Sequence, residues 1–263
     1  MKSRLIALDI DGTILDKRAG IEVPAAVREA IHDARRDGAR VCLCSSRPTF
    51  FMEDATNGLD EIDALIGCSG AEIDIDGKVF FRDILTQPII DGCIELARRE
   101  NAYLSFTGDG FFYARKKQNS EHEMEEHPAF IFMDDDELIE KMKNKTVPCA
   151  FIFTETEEKD DFVTGDPLLE AATAHWSGDS TFTITNKGVD KGTGVLELAK
   201  HWNIPREAIL SAGNDENDIP MLEVSGIAVA VRNANPALFK IADWIAPDVK
   251  DAGVAEAIRR FAL

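Results

Sequence analysis

The sequence predicts an α/β fold: a doubly wound parallel sheet interrupted by an α+β module. Three observations carry that prediction. Short apolar runs at Leu5–Leu8, Val41–Cys44, Ala64–Ile66, Ala208–Ala212 and Ile227–Val231 alternate with amphipathic stretches of helical spacing, which is the rhythm of βα units. These runs are apolar without alternation, as expected of parallel strands buried on both faces. Between about residues 85 and 184 the rhythm is lost, and it returns at Lys191. The expected organisation is therefore residues 1–84 as the first part of the sheet domain, 85–184 as the module, and 185–263 as the second part.

Taken in order, the first strand runs from Leu5 to about Asp9, and Val23-Pro24 opens a helix to Asp37 with Val27, Ala30, Ile31 and Ala34 on one face, stopped by Gly38. Val41–Cys44 is a second strand that breaks into Ser45-Ser46-Arg47-Pro48, followed by a helix expected from Thr49 to about Asn57. After the strand Ala64–Ile66, Ala71 to Phe81 reads as a hairpin turning at Asp76-Gly77. In the module, helices are expected at Ile89–Arg99, Asp134–Lys145 and Pro167–Ala174, with strands at Ala102–Phe106, Phe111–Ala114, Cys149–Thr154 and Thr181–Thr185. Lys116 to Glu126 is a charged polar stretch. The last part holds a helix from Lys191 to Trp202, the strands Ala208–Ala212 and Ile227–Val231, a short helix between them, a strand Trp244–Ala246 and a closing helix Ala252–Phe261.

The chain has 263 residues and a formal charge of -19. So acidic a field disfavours nucleic acid and anionic membranes as partners, since both are bound by basic faces. It also repels phosphorylated substrates at long range, so an anionic ligand would need a cation or a few basic side chains placed locally. The cysteines Cys42, Cys44, Cys68, Cys93 and Cys149 are odd in number and scattered, which argues for packing and against a disulfide framework. The acidic run Asp134–Glu137 is simplest as the start of a helix. His122, His127 and His175 lack metal-ligand spacing. The N-terminal apolar stretch is short and broken by Asp9; it does not read as a signal peptide, and a cytoplasmic location is expected. No apolar run approaches the ~20 residues of a membrane span.

Four polar clusters fall at the ends of expected parallel strands: Asp9 with Asp11, Ser45-Ser46-Arg47, Lys191-Gly192, and Gly213 to Asp218. Strand ends of like polarity share one edge of a sheet, so these distant segments should meet. Alone, the first pair suggests either a metal site or a nucleophile with a proton donor. Together the clusters supply carboxylate and amide oxygens suited to hard Mg²⁺, with a lysine, hydroxyls and turn amides suited to a phosphoryl group. One carboxylate could then attack phosphorus to form an aspartyl-phosphate, while another, two residues on, protonates the leaving oxygen and activates water.

At these residues the sequence resembles a known family. Asp9-Ile10-Asp11-Gly12-Thr13 is similar to the DxDGT signature of haloacid dehalogenase-superfamily phosphatases. Ser45-Ser46-Arg47-Pro48, Gly188-Val189-Asp190-Lys191-Gly192 and Gly213–Asp218 with Ile219-Pro220-Met221-Leu222 resemble its remaining motifs, in order. The long insertion between the second and third motifs resembles the Cof-type subfamily (IIB), which implies a Rossmann-like core with an inserted α+β cap domain of C2B type. Carried over by position, the resemblance implies Asp9 as nucleophile and Mg²⁺ ligand, and Asp11 as general acid/base that also ligates metal through its carbonyl. It further implies Ser45 and Lys191 on the phosphoryl group, Gly12, Ser46, Arg47 and Asn217 at the substrate, and Asp218 as a supporting acid. For Arg47, an ion pair with a motif acid is an equal alternative.

Two positions depart from the pattern. Asn214 stands where the family usually has Asp, so it is expected to complete the metal site through its amide oxygen and to hold metal less tightly, with Asp215 as a neighbour that could act instead. Ser46 replaces a usual glycine. The implied activity is Mg²⁺-dependent hydrolysis of small phosphorylated metabolites, such as sugar phosphates or phosphorylated cofactor precursors. The alternatives are a phosphosugar mutase on the same fold and a non-catalytic phosphometabolite sensor.

Overall fold

The computed structural model describes residues 2–16, 22–52, 59, 61–116, 127–143, 145–153, 163–177 and 180–263. In chain order the elements are β1 (Leu5–Leu8), α1 (Ala25–Arg36), β2 (Arg40–Cys44), β3 (Ala64–Gly67), β4 (Glu72–Ile75), β5 (Lys78–Arg82), α2 (Gln87–Arg99), β6 (Tyr103–Gly108), β7 (Phe111–Arg115) and β8 (Phe130–Met133). They continue with α3 (Asp135–Met142), β9 (Ala150–Phe153), β10 (Ala172–Trp176), β11 (Thr181–Asn186), α4 (Lys191–His201), β12 (Ile209–Gly213), α5 (Ile219–Glu223), β13 (Ile227–Val231), β14 (Trp244–Ala246) and α6 (Gly253–Phe261). The chain divides into two compact units, Met1–Phe81 with Asp190–Leu263, and Arg82–Val189.

The first unit is a sheet of order β14-β13-β12-β1-β2-β3-β4-β5. From β14 to β3 every pair is parallel, and β4 runs antiparallel to β3. The apolar runs explain this. Leu5–Leu8 is buried throughout, as are Val41–Cys44 and Ala228–Val231, so both sheet faces are covered, α1 burying Val27, Ala30, Ile31 and Ala34. From the central β1 the chain goes out through β2 and β3 and later returns on the other side through β12 to β14. The reversal makes the β1–β12 boundary the place where an open α/β sheet offers a crevice beyond its strand ends.

The hairpin turn at Asp76-Gly77 forms as expected, with both residues at positive φ, the geometry that suits a tight two-residue turn. Gly70 is a different case. It has φ +102°, and a Cβ there would lie 1.9 Å from the Asp190 carbonyl oxygen. Gly70→Ala should therefore destabilise the protein by about 3 kcal/mol. Gly77→Ala, also at positive φ (+73°) but with nothing near its added methyl, should lose only about 1 kcal/mol. Urea denaturation of both variants checks this; equal losses would show that the contact with Asp190 is slack.

The second unit is a six-stranded sheet of order β10-β11-β9-β6-β7-β8, antiparallel except for β7 with β8. Its core joins Ile89, Cys93, Leu96 and Ala97 of α2 and Leu138 and Met142 of α3 to Leu104, Phe106, Ile152, Phe182 and Ile184 of the strands. The acidic run is a helix start, with Asp134 and Glu137 closing a reciprocal capping box.

Two expectations are corrected. Pro167–Ala174 is not a helix: only Pro167–Leu169 makes a 3₁₀ turn, and the chain then enters β10. The apolar stretch is too short to sustain a helix, and pairing of Ala172–Trp176 with β11 satisfies its backbone instead. The helix expected from Thr49 is, within the described residues, a 3₁₀ turn over Thr49–Phe51; residues 53–58 lie outside them. Strand β8 was not anticipated, and the polar stretch before it lies outside the described residues from 117 to 126. All five cysteines are free and buried. No helix of the described residues is long and apolar enough to cross a membrane.

Candidate active site

The register of β1 on β12 assembles the centre of the site. Leu8 lies opposite Ala212, and the Asp9 amide continues the ladder by donating to the Ala212 carbonyl at 3.0 Å. Asp9 and the turn that follows Gly213 thus leave the sheet side by side. Beyond Asp9 the chain curls tightly, with the amides of Thr13, Ile14 and Leu15 all donating to the Ile10 carbonyl. Asn233, after β13, reaches in and donates from Nδ2 to the Gly12 carbonyl at 2.7 Å.

Lys191 stands between two acids. Asp190 caps α4, exchanging bonds with Thr193, so the helix begins at a fixed place and its first side chain turns inward. Lys191 Nζ donates to Asp9 Oδ1 at 2.7 Å and to Asp218 Oδ1 at 2.6 Å, and the lysine is 1% exposed. Burial works against its charge, but the carboxylates of Asp218 and Asp9 outweigh it and hold the ammonium well above the ordinary lysine range. Asp9 is pushed up to about 7, first by burial and then by the negative charge of Asp218, with Lys191 opposing both.

The turn after β12 is organised by Asp218. Its Oδ2 accepts from the amides of Asn214 (2.8 Å) and Asp215 (3.0 Å), while Asp215 Oδ1 accepts from the Glu216 amide at 2.8 Å. Burial raises the Asp215 carboxyl above its usual range. The tip of the Asn214 carboxamide lies 2.9 Å from Asp9 Oδ2, 3.0 Å from the Asp11 carbonyl oxygen and 2.8 Å from Thr13 Oγ1; with its nitrogen inward it would donate to them. The opposite orientation would press the amide oxygen against the first two and keep only a bond from the Thr13 hydroxyl. A Cβ on Gly12 would lie 2.6 Å from this carboxamide, so the close approach depends on the glycine.

The second cluster lies at the ends of β2 and β3. Arg47 closes a two-pronged ion pair on Asp11, Nε to Oδ2 at 2.9 Å and Nη2 to Oδ1 at 2.8 Å. Ser45 Oγ accepts from the Arg47 amide at 3.1 Å. Ser46 Oγ accepts from Asn217 Nδ2 at 2.9 Å and lies 3.1 Å from Ser69 Oγ. Every residue expected at the site is therefore drawn into one connected set.

Several members were not foreseen. Ser69 is fully buried and, with Cys68, takes a left-handed backbone, φ 50° and 53°, uncommon for non-glycine residues. The bond from its amide to the Ser45 carbonyl holds it there. The only sequence signal was the small, glycine-framed segment Gly67–Gly70 after a strand. Thr13 and Asn233 were legible as polar residues near motifs, but their partners lie some 200 positions away. His175 is a packed histidine, its Nε2 2.9 Å from Thr185 Oγ1. His127 Nδ1 accepts from the Ala129 amide, and His122 lies outside the described residues.

A carboxylate beside a permanent cation at a strand end, with a second carboxyl two residues on, is equipped for nucleophilic group transfer. The sequence matches the haloacid dehalogenase-like hydrolase family over residues 6–258. The chain belongs to the haloacid dehalogenase-like hydrolases. This hydrolase is 28% identical to a phosphoglycolate phosphatase of Methanothermobacter thermautotrophicus, over 98% of each chain. Its fold is that of BT1666, a phosphatase of the same superfamily from Bacteroides thetaiotaomicron (TM-score 0.86, 21% identity, 100% of this chain and 96% of that one). It is likewise that of the subclass IIB sugar phosphatase BT4131 (TM-score 0.85, 20% identity, 98% and 99%).

Among the described residues of this hydrolase no three His, Cys, Asp or Glu side chains group as a metal cage. A cation would have to be held by Asp9 together with carbonyl and amide oxygens. That set is hard and all-oxygen, which fits Mg²⁺ and not a softer metal.

Proposed function

We propose that the chain is a Mg²⁺-dependent phosphomonoester hydrolase acting on small phosphorylated metabolites through a phosphoryl-Asp9 intermediate. The observation that carries this reading is the bridge from Lys191 to both Asp9 and Asp218. It holds one carboxylate oxygen of Asp9 beside a fixed positive charge and leaves the other against the Asn214 carboxamide. In the first half-reaction an Asp9 oxygen attacks phosphorus, the ester P–O bond breaks, and Asp11, protonated and released from one prong of the Arg47 fork, gives its proton to the departing oxygen. In the second, Asp11 takes a proton from water as that water attacks phosphorus, and Asp9 leaves as carboxylate. Lys191 and the Ser45 hydroxyl meet the phosphoryl oxygens, while Asn217 and Ser46, already bonded to each other, complete the phosphate side.

The charge balance supports a cation. Among the described residues the acids Asp9, Asp11, Asp215 and Asp218 outnumber the cations bonded to them, Lys191 and Arg47, in a chain of charge -19, so a phosphate dianion would meet net repulsion. Mg²⁺, held by Asp9, the Asp11 carbonyl and the Asn214 side chain, would supply the missing positive charge. The names of the relatives, phosphoglycolate phosphatase and sugar phosphatase, support a small anionic substrate. We assign substrate selection to the inserted unit, as a cap.

The test is release of inorganic phosphate from a panel of phosphomonoesters with Mg²⁺. Turnover of at least one, lost in EDTA, is expected. A panel without any release would overturn the reading, and conversion of a sugar phosphate to its isomer without release would replace it with a mutase. Arg47 offers a finer check. Its fork holds Asp11, so Arg47→Lys should lower kcat for alkyl phosphates by roughly 10- to 100-fold, as expected when general-acid help is impaired. Turnover of p-nitrophenyl phosphate, whose leaving group needs no proton, should fall much less; equal losses would remove Arg47 from the proton step.

A further inference from the structure

We propose that Ser69 is a positioning residue of the phosphate site, acting through Ser46 to hold the Asn217 carboxamide. The inference rests on the phosphatase reading above and concerns a side chain outside the four polar clusters. Backbone conformation singles it out. Cys68, Ser69 and Gly70 follow one another at φ 53°, 50° and 102°, a run that glycine adopts freely and other L residues resist. The backbone at position 69 thus suits glycine better than serine. What serine adds is a hydroxyl, in a residue with no exposed surface, 3.1 Å from Ser46 Oγ.

The left-handed turn is tied down on two sides. The Ser69 amide donates to the Ser45 carbonyl at 3.1 Å and the Cys68 amide to the Arg47 carbonyl at 2.8 Å. Gly70 lies against the Asp190 carbonyl, where the helix that carries Lys191 begins. Ser69 is therefore fixed against both the Ser45–Arg47 loop and the lysine helix by main chain alone.

Asn217 stands at the far end of these contacts. It is 8% exposed; its Nδ2 donates to Ser46 Oγ at 2.9 Å, while Oδ1 is buried with no partner among the described residues. A buried polar atom is costly to leave unmet, so this is the end of the carboxamide that a ligand would satisfy. A hydroxyl suits the other end because it both donates and accepts. Ser46 accepts from the amide nitrogen as it stands and can pass its own proton to Ser69. It could equally accept from Ser69 and donate to the amide oxygen, with the nitrogen turned to an anionic phosphoryl oxygen. In both cases the held end sets the direction of the free one.

Binding of inorganic phosphate to the full chain in MgCl₂, followed by titration calorimetry, tests this without turnover. Ser69→Gly keeps the backbone and removes the hydroxyl. It should melt within about 2 °C of the natural chain and bind phosphate about fivefold more weakly, the scale of one lost hydrogen bond. Ser46→Gly should lose at least as much. Adding Ser69→Gly to it should cost nothing further, because the intermediary is gone. In ¹⁵N spectra the side-chain NH₂ pair missing from Asn217→Ala identifies Asn217, and that pair should shift in both serine variants. Should Ser69→Gly loosen the turn, Ser69→Ala, which keeps the Cβ, repeats the measurement. The proposal is overturned if loss of the Ser69 hydroxyl leaves phosphate binding unchanged, if its effect adds in full to that of Ser46→Gly, or if the Asn217 pair does not move. A natural chain that binds no phosphate overturns it as well. One that binds phosphate and hydrolyses no ester sinks only the phosphatase reading.

Discussion

Asp9→Asn abolishes phosphate release, with kcat falling on the order of 10⁴-fold or more, the scale seen when a covalent nucleophile is removed. A carboxamide oxygen has neither the charge nor the basicity to displace an ester oxygen from phosphorus. The fold should survive, since Asn can still accept the bond that Lys191 now gives to Asp9. In EDTA the variant should even be the more stable protein at neutral pH. The sign follows from burial: Asp9 titrates at about 7 in the folded chain against 3.8 in the reference state. Between those values the folded chain holds a proton that the unfolded chain has lost, so the stability Asp9 confers is present at pH 4 and is lost as pH rises toward 7. Asn carries no such dependence. The stability gap between variant and natural chain should widen as pH rises across that window, by up to about 1.4 kcal/mol per pH unit, and then level off. Urea denaturation at pH 5 and pH 8 measures it, and a gap that does not widen would show that Asp9 is ionised throughout.

Lys191→Met should be the most destabilising change at the site. Methionine fills much of the same volume, but it leaves Asp9 and Asp218 facing one another in a place that is 6% and 0% exposed. Removing one partner of a buried ion pair costs about 3–5 kcal/mol, because the remaining charge loses its compensation. Asp218 also supports the amides of Asn214 and Asp215, so the loss should loosen the turn as well as the sheet edge, and phosphate release should vanish with it. Adding Asp218→Asn to Lys191→Met removes one of the two opposed charges and should recover part of the stability. A double-mutant cycle by denaturation gives the coupling; purely additive effects would mean that the lysine does not act through Asp218.

Much of this was legible along the chain. Leu5–Leu8, Val41–Cys44 and Ala228–Val231 lie in strands because unbroken apolar runs of that length are buried on both faces. The hairpin turn at Asp76-Gly77 and the helix start at Asp134 have local causes, backbone conformation in one case and side-chain capping in the other. The failure at Pro167–Ala174 has the opposite origin. Ala172–Trp176 is a strand because β11, which begins at Thr181, pairs with it residue by residue, and that cross-strand pairing outweighs the helical preference of the segment. Ser69 escaped notice for a related reason, since its left-handed backbone is imposed by the bond to Ser45 and by packing.

By itself, the sequence determined which groups are present and where each leaves the sheet: Asp9 and Asp11 after one strand, Ser45 to Arg47 after another, Lys191 at a capped helix start, Asn214 to Asp218 in a turn. These are consequences of short-range pattern, so they can be read from neighbours. Only the tertiary structure decided which group each one holds. Lys191 lies between Asp9 and Asp218, Arg47 is closed on Asp11, and Asn214 brings its carboxamide against Asp9 and the Asp11 carbonyl. Those pairings are set by the parallel register of β1 with β12 and by the competition among buried donors and acceptors for partners. Both are properties of groups brought together from 27 positions apart, as Lys191 and Asp218 are, to 182, as Lys191 and Asp9 are, and no stretch of the chain carries them alone.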